Sequence, residues 1–207
     1  MRIAVTMRIV DAVGYAEPRD ALAQDWGRFL AAALPGAAWM PLPNIGETSV
    51  GLAEQWQIDR IIFSGGNDLG ERPLRDATER ALIAWARMRN IPVFGVCRGL
   101  QLLQEVSGGT LAPVSGHAGT RHSLRLVGTS ALGTEGNRLD VNSFHNWCIQ
   151  EPASGLRVLA VDSEGNAEAM VHRTLPLGGL LWHPEREPKY ALTDIAFIRH
   201  LFCGETP

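Results

Sequence analysis

Residues 93–103 read VFGVCRGLQLL, an apolar strand-like run, a cysteine between two glycines, and then helix-forming residues. Pro92 precedes the run and helix formers follow Cys97, so the chain is predicted to turn sharply from strand to helix at the thiol. Such a turn needs small residues two before and two after its apex, because a side chain at either place would crowd the neighbouring backbone. Gly95 and Gly99 occupy both places. A thiol there sits at a helix amino terminus, where unpaired N–H groups and the dipole favour negative charge, and the Arg98 N–H can point at a developing oxyanion. The plain alternative is a buried structural cysteine in a glycine-rich turn.

Outward from this turn, strand-like and helix-like patterns alternate. IAVTM (3–7) is a strand candidate; Leu22, Trp26, Phe29, Leu30, Ala33 and Leu34 then form an amphipathic stripe that Pro35-Gly36 ends. Strands are expected at 37–42 and 60–64, and a helix over 74–90 whose apolar face carries Leu74, Ala77, Ala81, Leu82, Trp85 and Met88. Beyond the helix that starts at Cys97 come strand-like pieces near 122–127, 156–161, 167–172 and 178–182, then a final helix marked by Ile195, Ile198, Leu201 and Phe202. The expected fold class is α/β, one domain over 1–207 with an open, mostly parallel sheet flanked by helices and antiparallel additions late in the chain.

Composition narrows the functional classes. The chain has 207 residues, 45% hydrophobic and 20% charged, enough for a sizeable core. A net charge of −3 without a basic stripe or tail argues against nucleic acid and membrane surfaces and leaves small molecules as the expected partners. Lys189 is the only lysine, a bias that carries no functional weight by itself. Cys97, Cys148 and Cys203 form no paired framework, MRIAVTMRIVD is interrupted by Arg8 and Asp11, and no apolar run nears the roughly 20 residues of a membrane span, so a cytoplasmic location is expected.

A thiolate needs a base. WHPERE (182–187) follows the strand candidate GGLLW, which puts His183 at the carboxyl edge where open α/β sheets carry their sites. Pro184 keeps His183 extended, so Glu185 is expected on the same side, where a carboxylate can hold the imidazole's tautomer and stabilise imidazolium. Cys97, His183 and Glu185 are thus a candidate nucleophile, base and orienting group; a charged loop after a strand is the plain reading of HPERE alone. SGGND (64–68) follows another strand, and its glycines let backbone N–H groups approach an oxyanion from the side opposite Arg98, with Gly66 the preferred donor. A simple turn explains the same residues.

SGGND, GVCRGLQ and WHPERE, in this order and spacing, resemble the class I glutamine amidotransferase fold (flavodoxin-like), from the first strand to the last helix. That resemblance implies a cysteine that attacks a γ-glutamyl amide and a thioester released by water. It also implies catalytic roles for Cys97, His183 and Glu185, oxyanion donors at Gly66 and Arg98, and contact between Gln101 and the glutamyl group. TMR (6–8), CRG and VNSFHN (141–146) look more like the stand-alone, peptidase C26-like γ-glutamyl hydrolases, including those of γ-glutamyl-γ-aminobutyrate, than like synthetase-bound glutaminase domains. Those hydrolases commonly carry glutamine where Trp147 stands here and are longer. RDALAQDWGRFL, GHAGTRH (116–122) and NSFHN look closest to the branch that removes glutamate from γ-glutamyl cytidine diphosphoramidate for capsule or lipopolysaccharide decoration. The competing expectation is a glutaminase subunit that passes ammonia to a synthetase partner; a non-catalytic module of this fold should lack a triad member, and all three are present.

For a phosphorylated substrate the candidate contacts are Arg8, at the end of the first strand, and His117, Arg121 and His122 beyond the elbow helix, since guanidinium forks fit phosphate oxygens. Solvated loop charges explain them equally. Asn142, Ser143 and His145 could border the glutamyl pocket, or His145 could be a satisfied core histidine. Neither His145 with Cys148 nor His117 with His122 supplies four clear ligands, so no metal and no cofactor is expected.

Overall fold

A computed structural model of the chain describes residues 1–205. Strand β1 (Arg2–Thr6) is followed by a hairpin of β2 (Arg8–Asp11) and β3 (Pro18–Ala21), helix α1 (Asp25–Ala33) and β4 (Ala38–Leu42). Helix α2 (Ser49–Gln55), β5 (Arg60–Phe63), α3 (Pro73–Arg89), β6 (Val93–Val96) and α4 (Arg98–Val106) come next. The second half contributes β7 (Ala112–Pro113), β8 (Ala118–Leu126), β9 (Arg138–Phe144), β10 (Trp147–Cys148), β11 (Leu156–Val161), β12 (Ala167–His172), β13 (Leu177–Leu180) and α5 (Leu192–Cys203).

The main sheet runs β4-β1-β5-β6-β13-β12-β11-β8-β9. Its first five strands are mutually parallel, and the next four add antiparallel neighbours. Helices cover both faces because the strands are apolar on both. Ile3, Val5, Ile62, Phe94 and Val96 pack with Trp26 and Phe29 of α1 and Phe197 of α5, while Ala4, Ile61, Phe63 and Val93 pack with Leu82 and Trp85 of α3 and Leu100 of α4. That period-2 split is what a strand buried on two sides requires.

Two expectations need correction. Arg8 does not end β1 but opens β2 of the separate hairpin. The buried face of α3 is not the apolar stripe: Leu74 and Met88 are exposed, whereas Arg75, Asp76, Thr78 and Glu79 are buried beside Leu82 and Trp85. The first two turns face a second guanidinium rather than a hydrophobic partner, so charge complementarity decides which side is inside.

Candidate active site

The carboxyl ends of β5, β6 and β13 bring three loops to one edge of the sheet. Cys97 follows β6 with φ 54° and ψ −108°, a left-handed-side backbone that a non-glycine residue adopts only where the surroundings impose it. Its N–H is tied to Leu180 O of β13 at 2.8 Å, and its carbonyl accepts from Leu100 and Gln101, starting α4. A Cβ on Gly95 would stand 2.6 Å from the Gly99 carbonyl carbon, and one on Gly99 would collide with the Phe63 backbone. The two glycines are therefore what lets β6 turn into α4 at the thiol.

His183 is buried and extended at φ −110°, ψ 90°, as expected of a residue before proline, and Pro184–Arg186 then forms a 3-10 turn. Proline at the first position of a helical turn costs nothing, because its missing N–H has no intrahelical acceptor there. The turn carries Glu185 back beneath the ring, with Oε1 2.7 Å from His183 Nδ1. Cys97 stands beside the same imidazole across Gly65, near enough to act on its charge. Burial pulls the His183 pKa down, but the Glu185 charge and Cys97 push it the other way more strongly, to about 9.

The SGGN loop is shaped from below. Arg75, fully buried, donates to Ser64 O at 2.7 Å, to Gly65 O at 3.3 Å and to Gly66 O. A trans peptide points its N–H opposite to the preceding carbonyl, so the Gly65 and Gly66 N–H groups face away from Arg75. Among the described residues neither finds an acceptor, and neither does the Arg98 N–H. Glu79 neutralises this arginine at 3.0 Å and also accepts from Thr6 Oγ1 at 2.7 Å and from Arg98, whose other arm meets Asp76. Two guanidiniums and two carboxylates thus form a closed network under the elbow, the arrangement a buried charge needs. Arg75, Asp76 and Glu79 escape a reading of the sequence, where they look like the polar side of an ordinary helix.

Gly65 touches the site directly: a Cβ there would stand 2.5 Å from His183 Cε1 and 3.4 Å from Cys97 Cβ. Gly66 instead backs onto the Arg8 guanidinium, about which a Cβ would lie 3.2–3.3 Å from Nε, Cδ and Cζ. The Arg8 side chain makes no hydrogen bond or ion pair to any described residue, while its backbone is in register with Ala21 of β3. It shares with Ser64, Gly65, His183, Glu185 and Arg186 the walls of a crevice at the edge of the sheet that is too narrow to admit a water molecule. Arg186 lies over the half-exposed ring of Phe144, 4.6 Å from its centroid, and that ring meets His183 edge-on at 5.7 Å.

The other expected contacts fall into three groups. Asn142 clamps the His183 backbone reciprocally, donating to its carbonyl at 2.8 Å and accepting from its N–H at 3.0 Å, while Ser143 beside it is fully buried. Asn142 therefore positions the histidine. Gln101 is buried and donates to Trp147 O at 3.2 Å, one turn from the thiol. Arg121 is engaged by Asp140 at 2.8 Å and Glu187 at 2.9 Å, and His117, His122 and His145 gather around Glu168 of β12. Of the four cationic candidates for a phosphate, only Arg8 stands beside the thiol–imidazole pair with its guanidinium unpaired. Arg186, inside the WHPERE stretch, adds a second guanidinium at the same crevice, with its Nε 3.7 Å from Glu185 Oε1.

A family model described as Peptidase C26 matches residues 31–185. The γ-glutamyl-CDP-amidate hydrolase of Campylobacter jejuni is 29% identical over 98% of this chain and 98% of its own length. The γ-glutamyl-γ-aminobutyrate hydrolase of Escherichia coli O157:H7 is 32% identical over 64% of this chain and 61% of its own. Among solved structures, a protein described as a GMP synthase component from Thermoplasma acidophilum superposes with a TM-score of 0.71 at 18% identity, covering 98% of this chain and 92% of that one. A glutamine amidotransferase from Thermotoga maritima reaches 0.62 at 15% identity, over 89% and 76%. These last two are likenesses of fold, and they make the sheet described above the class I glutamine amidotransferase fold. No described helix is long and apolar enough to cross a membrane. The family match spans well over half of the sequence, and on that ground the chain belongs to the Peptidase C26 family.

Proposed function

We propose that this protein is a cytoplasmic cysteine hydrolase that releases glutamate from a γ-glutamyl amide, with a γ-glutamyl nucleotide diphosphoramidate of the γ-glutamyl-CDP-amidate type as its substrate. The observation that carries the reading is the thiol at the β6–α4 turn, set beside an imidazole whose Nδ1 lies 2.7 Å from a buried carboxylate. Cys97 Sγ attacks the γ-carbonyl carbon, and the oxyanion that forms is met by the N–H groups of Gly66 and Arg98. His183 gives its Nε2 proton to the departing nitrogen, the C–N bond breaks, and the nitrogen stays on phosphorus. Neutral His183 then takes a proton from water, whose oxygen attacks the thioester and frees glutamate and Cys97. The cytidine diphosphoramidate so released would serve as donor for decorating capsule or lipopolysaccharide.

Two observations support a nucleotide leaving group. The hydrolase named for such an amidate matches nearly end to end, whereas the aminobutyrate hydrolase is covered over 61% of its length. Beside the dyad, Arg8 and Arg186 offer guanidinium donors and Phe144 an exposed aromatic edge, the chemistry that holds a diphosphate and a base. The test is glutamate release from γ-glutamyl-CDP-amidate, γ-glutamyl-aminobutyrate and glutamine. The amidate is expected to have the highest kcat/KM, and Arg8→Ala should lower it by roughly 10-fold or more, the value of a charge-assisted hydrogen bond, while leaving the neutral amides within about twofold. Equal kcat/KM for amidate and aminobutyrate amide would remove the nucleotide reading, equal losses on all substrates would place Arg8 on the glutamyl carboxylate, and preference for free glutamine would favour a glutaminase.

The raised His183 pKa sets the pH dependence. With its folded value near 9, the imidazolium that must protonate the leaving nitrogen persists through neutral pH and is lost above it. The kcat/KM profile should therefore fall on its alkaline side near pH 9. Glu185→Gln removes the first-named influence that raises this pKa, so the limb should move to lower pH. A limb that stays in place would mean another group controls it.

A further inference from the structure

We infer that the antiparallel half of the sheet holds a structural zinc ion, bound by His117 Nδ1, His122 Nε2, His145 Nε2 and the Glu168 carboxylate. The four residues come from four places: the turn before β8, β8 itself, the turn after β9, and β12. One candidate ligand atom from each lies within 4.8 Å of the other three. The pairwise distances are the telling quantity. Glu168 Oε1 is 3.5 Å from His145 Nε2 and 3.7 Å from His117 Nδ1, and Oε2 is 3.7 Å from His122 Nε2. These exceed the 2.7–3.2 Å range of N–H···O hydrogen bonds. They approach instead the edge of a tetrahedron with metal–ligand bonds near 2.05 Å, which is about 3.3 Å.

The same atoms are unsatisfied. His117 Nδ1, His122 Nε2, His145 Nε2 and both oxygens of Glu168 are buried with no hydrogen-bond partner. Glu168 has no solvent exposure at all, and a carboxylate enclosed without hydrogen bonds is among the costliest groups a protein can bury. A cation at the centre of the four takes one of these atoms from each residue and neutralises the buried carboxylate as a whole.

The surroundings prepare the imidazoles as ligands. His145 Nδ1 is 3.0 Å from Trp147 O, which can only accept, so the proton sits on Nδ1 and the Nε2 lone pair faces the centre. Asp162 Oδ2 stands 3.7 Å from Nε2 of His117, behind the ring, and is itself held by Asn166. Three imidazoles and one carboxylate exclude Mg2+ and Ca2+, which take oxygen, and a closed set of four protein ligands matches structural Zn2+. The ion would tie β8, β9 and β12 to the 145–148 turn, which receives Gln101 through the Trp147 carbonyl and reaches Asp68 through the indole N–H at 3.1 Å.

The experiment uses the full chain, purified without an affinity tag from medium supplemented with zinc. Metal analysis should find one zinc per chain, and stripping with a chelator followed by equimolar Zn2+ should raise Tm again. Co2+ added to stripped protein should give the intense visible absorption of a tetrahedral site, altered in Glu168→Gln and lost in His122→Ala. Cys97→Ala should keep both the zinc and the cobalt spectrum, which separates this site from the thiol–imidazole pair. Wild-type protein that holds no zinc and shows no Tm change with Zn2+ or Co2+ would overturn the inference, as would the weak spectrum of six-coordinate cobalt or loss of the metal in Cys97→Ala.

Discussion

Cys97→Ala is expected to remove essentially all glutamate release, a fall of at least about 10^4-fold in kcat, with the fold retained. The nucleophile forms the bond that the whole sequence of steps depends on, and an alanine fits the left-handed backbone at 97 no worse than cysteine does. His183→Ala should be of similar size, since the leaving nitrogen then has no proton donor and the thiol no partner. Glu185→Gln should retain roughly 10–100-fold more activity than either, because it orients the imidazole without exchanging the proton. The measurements are single-turnover and steady-state rates, with circular dichroism for folding. A glutamine-like diazo-ketone should alkylate Cys97 and spare Cys148, whose thiol is kept protonated by burial and by the Asp162 charge, and Cys203, which is exposed at the end of α5. Alkylation of Cys148 or Cys203 with Cys97 untouched would defeat the assignment.

How much of this was legible in the sequence depends on whether the signal was local. The β6–α4 turn was, because a cysteine flanked at two residues by glycine and set between apolar strand and helix admits few other geometries. The alternating buried strands were legible for the same reason, each being a short contiguous run. The hairpin of β2 and β3, helix α2 and strand β9 were not: the hairpin is mostly exposed, α2 is short and buries only Ser49 and Ala53, and β9 buries the polar Asn142 and Ser143 beside Val141. The buried side of α3 was misread because Arg75 and Glu79 look solvent-bound until Arg98, 19 residues beyond Glu79, is seen to pair with the same carboxylate. Arg121 was expected to be free for phosphate, yet its partners Asp140 and Glu187 lie 19 and 66 residues away. The three histidines around Glu168 share no motif spacing, and pairwise inspection of the histidines could not find the carboxylate that gathers them.

Gly65→Ala tests the shape of the site without touching a reacting group. The added methyl carbon would stand 2.5 Å from His183 Cε1, far inside contact distance, so something must move. The loop cannot retreat easily: Ser64 O, Gly65 O and Gly66 O are all held by the buried Arg75, and Ser64 Oγ donates to Thr6 O at 2.6 Å. The imidazole is the softer side, anchored by one bond to Glu185 and by the Asn142 clamp on its backbone. It should swing away from Cys97 and carry Nε2 out of line with the leaving nitrogen. A displacement of about 1 Å at a reacting group costs on the order of 10²-fold, so kcat should fall by at least that much while KM and Tm change little. The alkaline limb of the pH profile should move down with it, because the ring moves away from the Cys97 sulfur, whose charge is one of the influences that raise its pKa. Gly66→Ala provides the contrast, since its methyl would meet the Arg8 side chain and not the imidazole: backbone strain at φ +84° should lower Tm and activity, with the alkaline limb left in place. Full activity in Gly65→Ala would mean that His183 does not work from the position it holds beside Cys97.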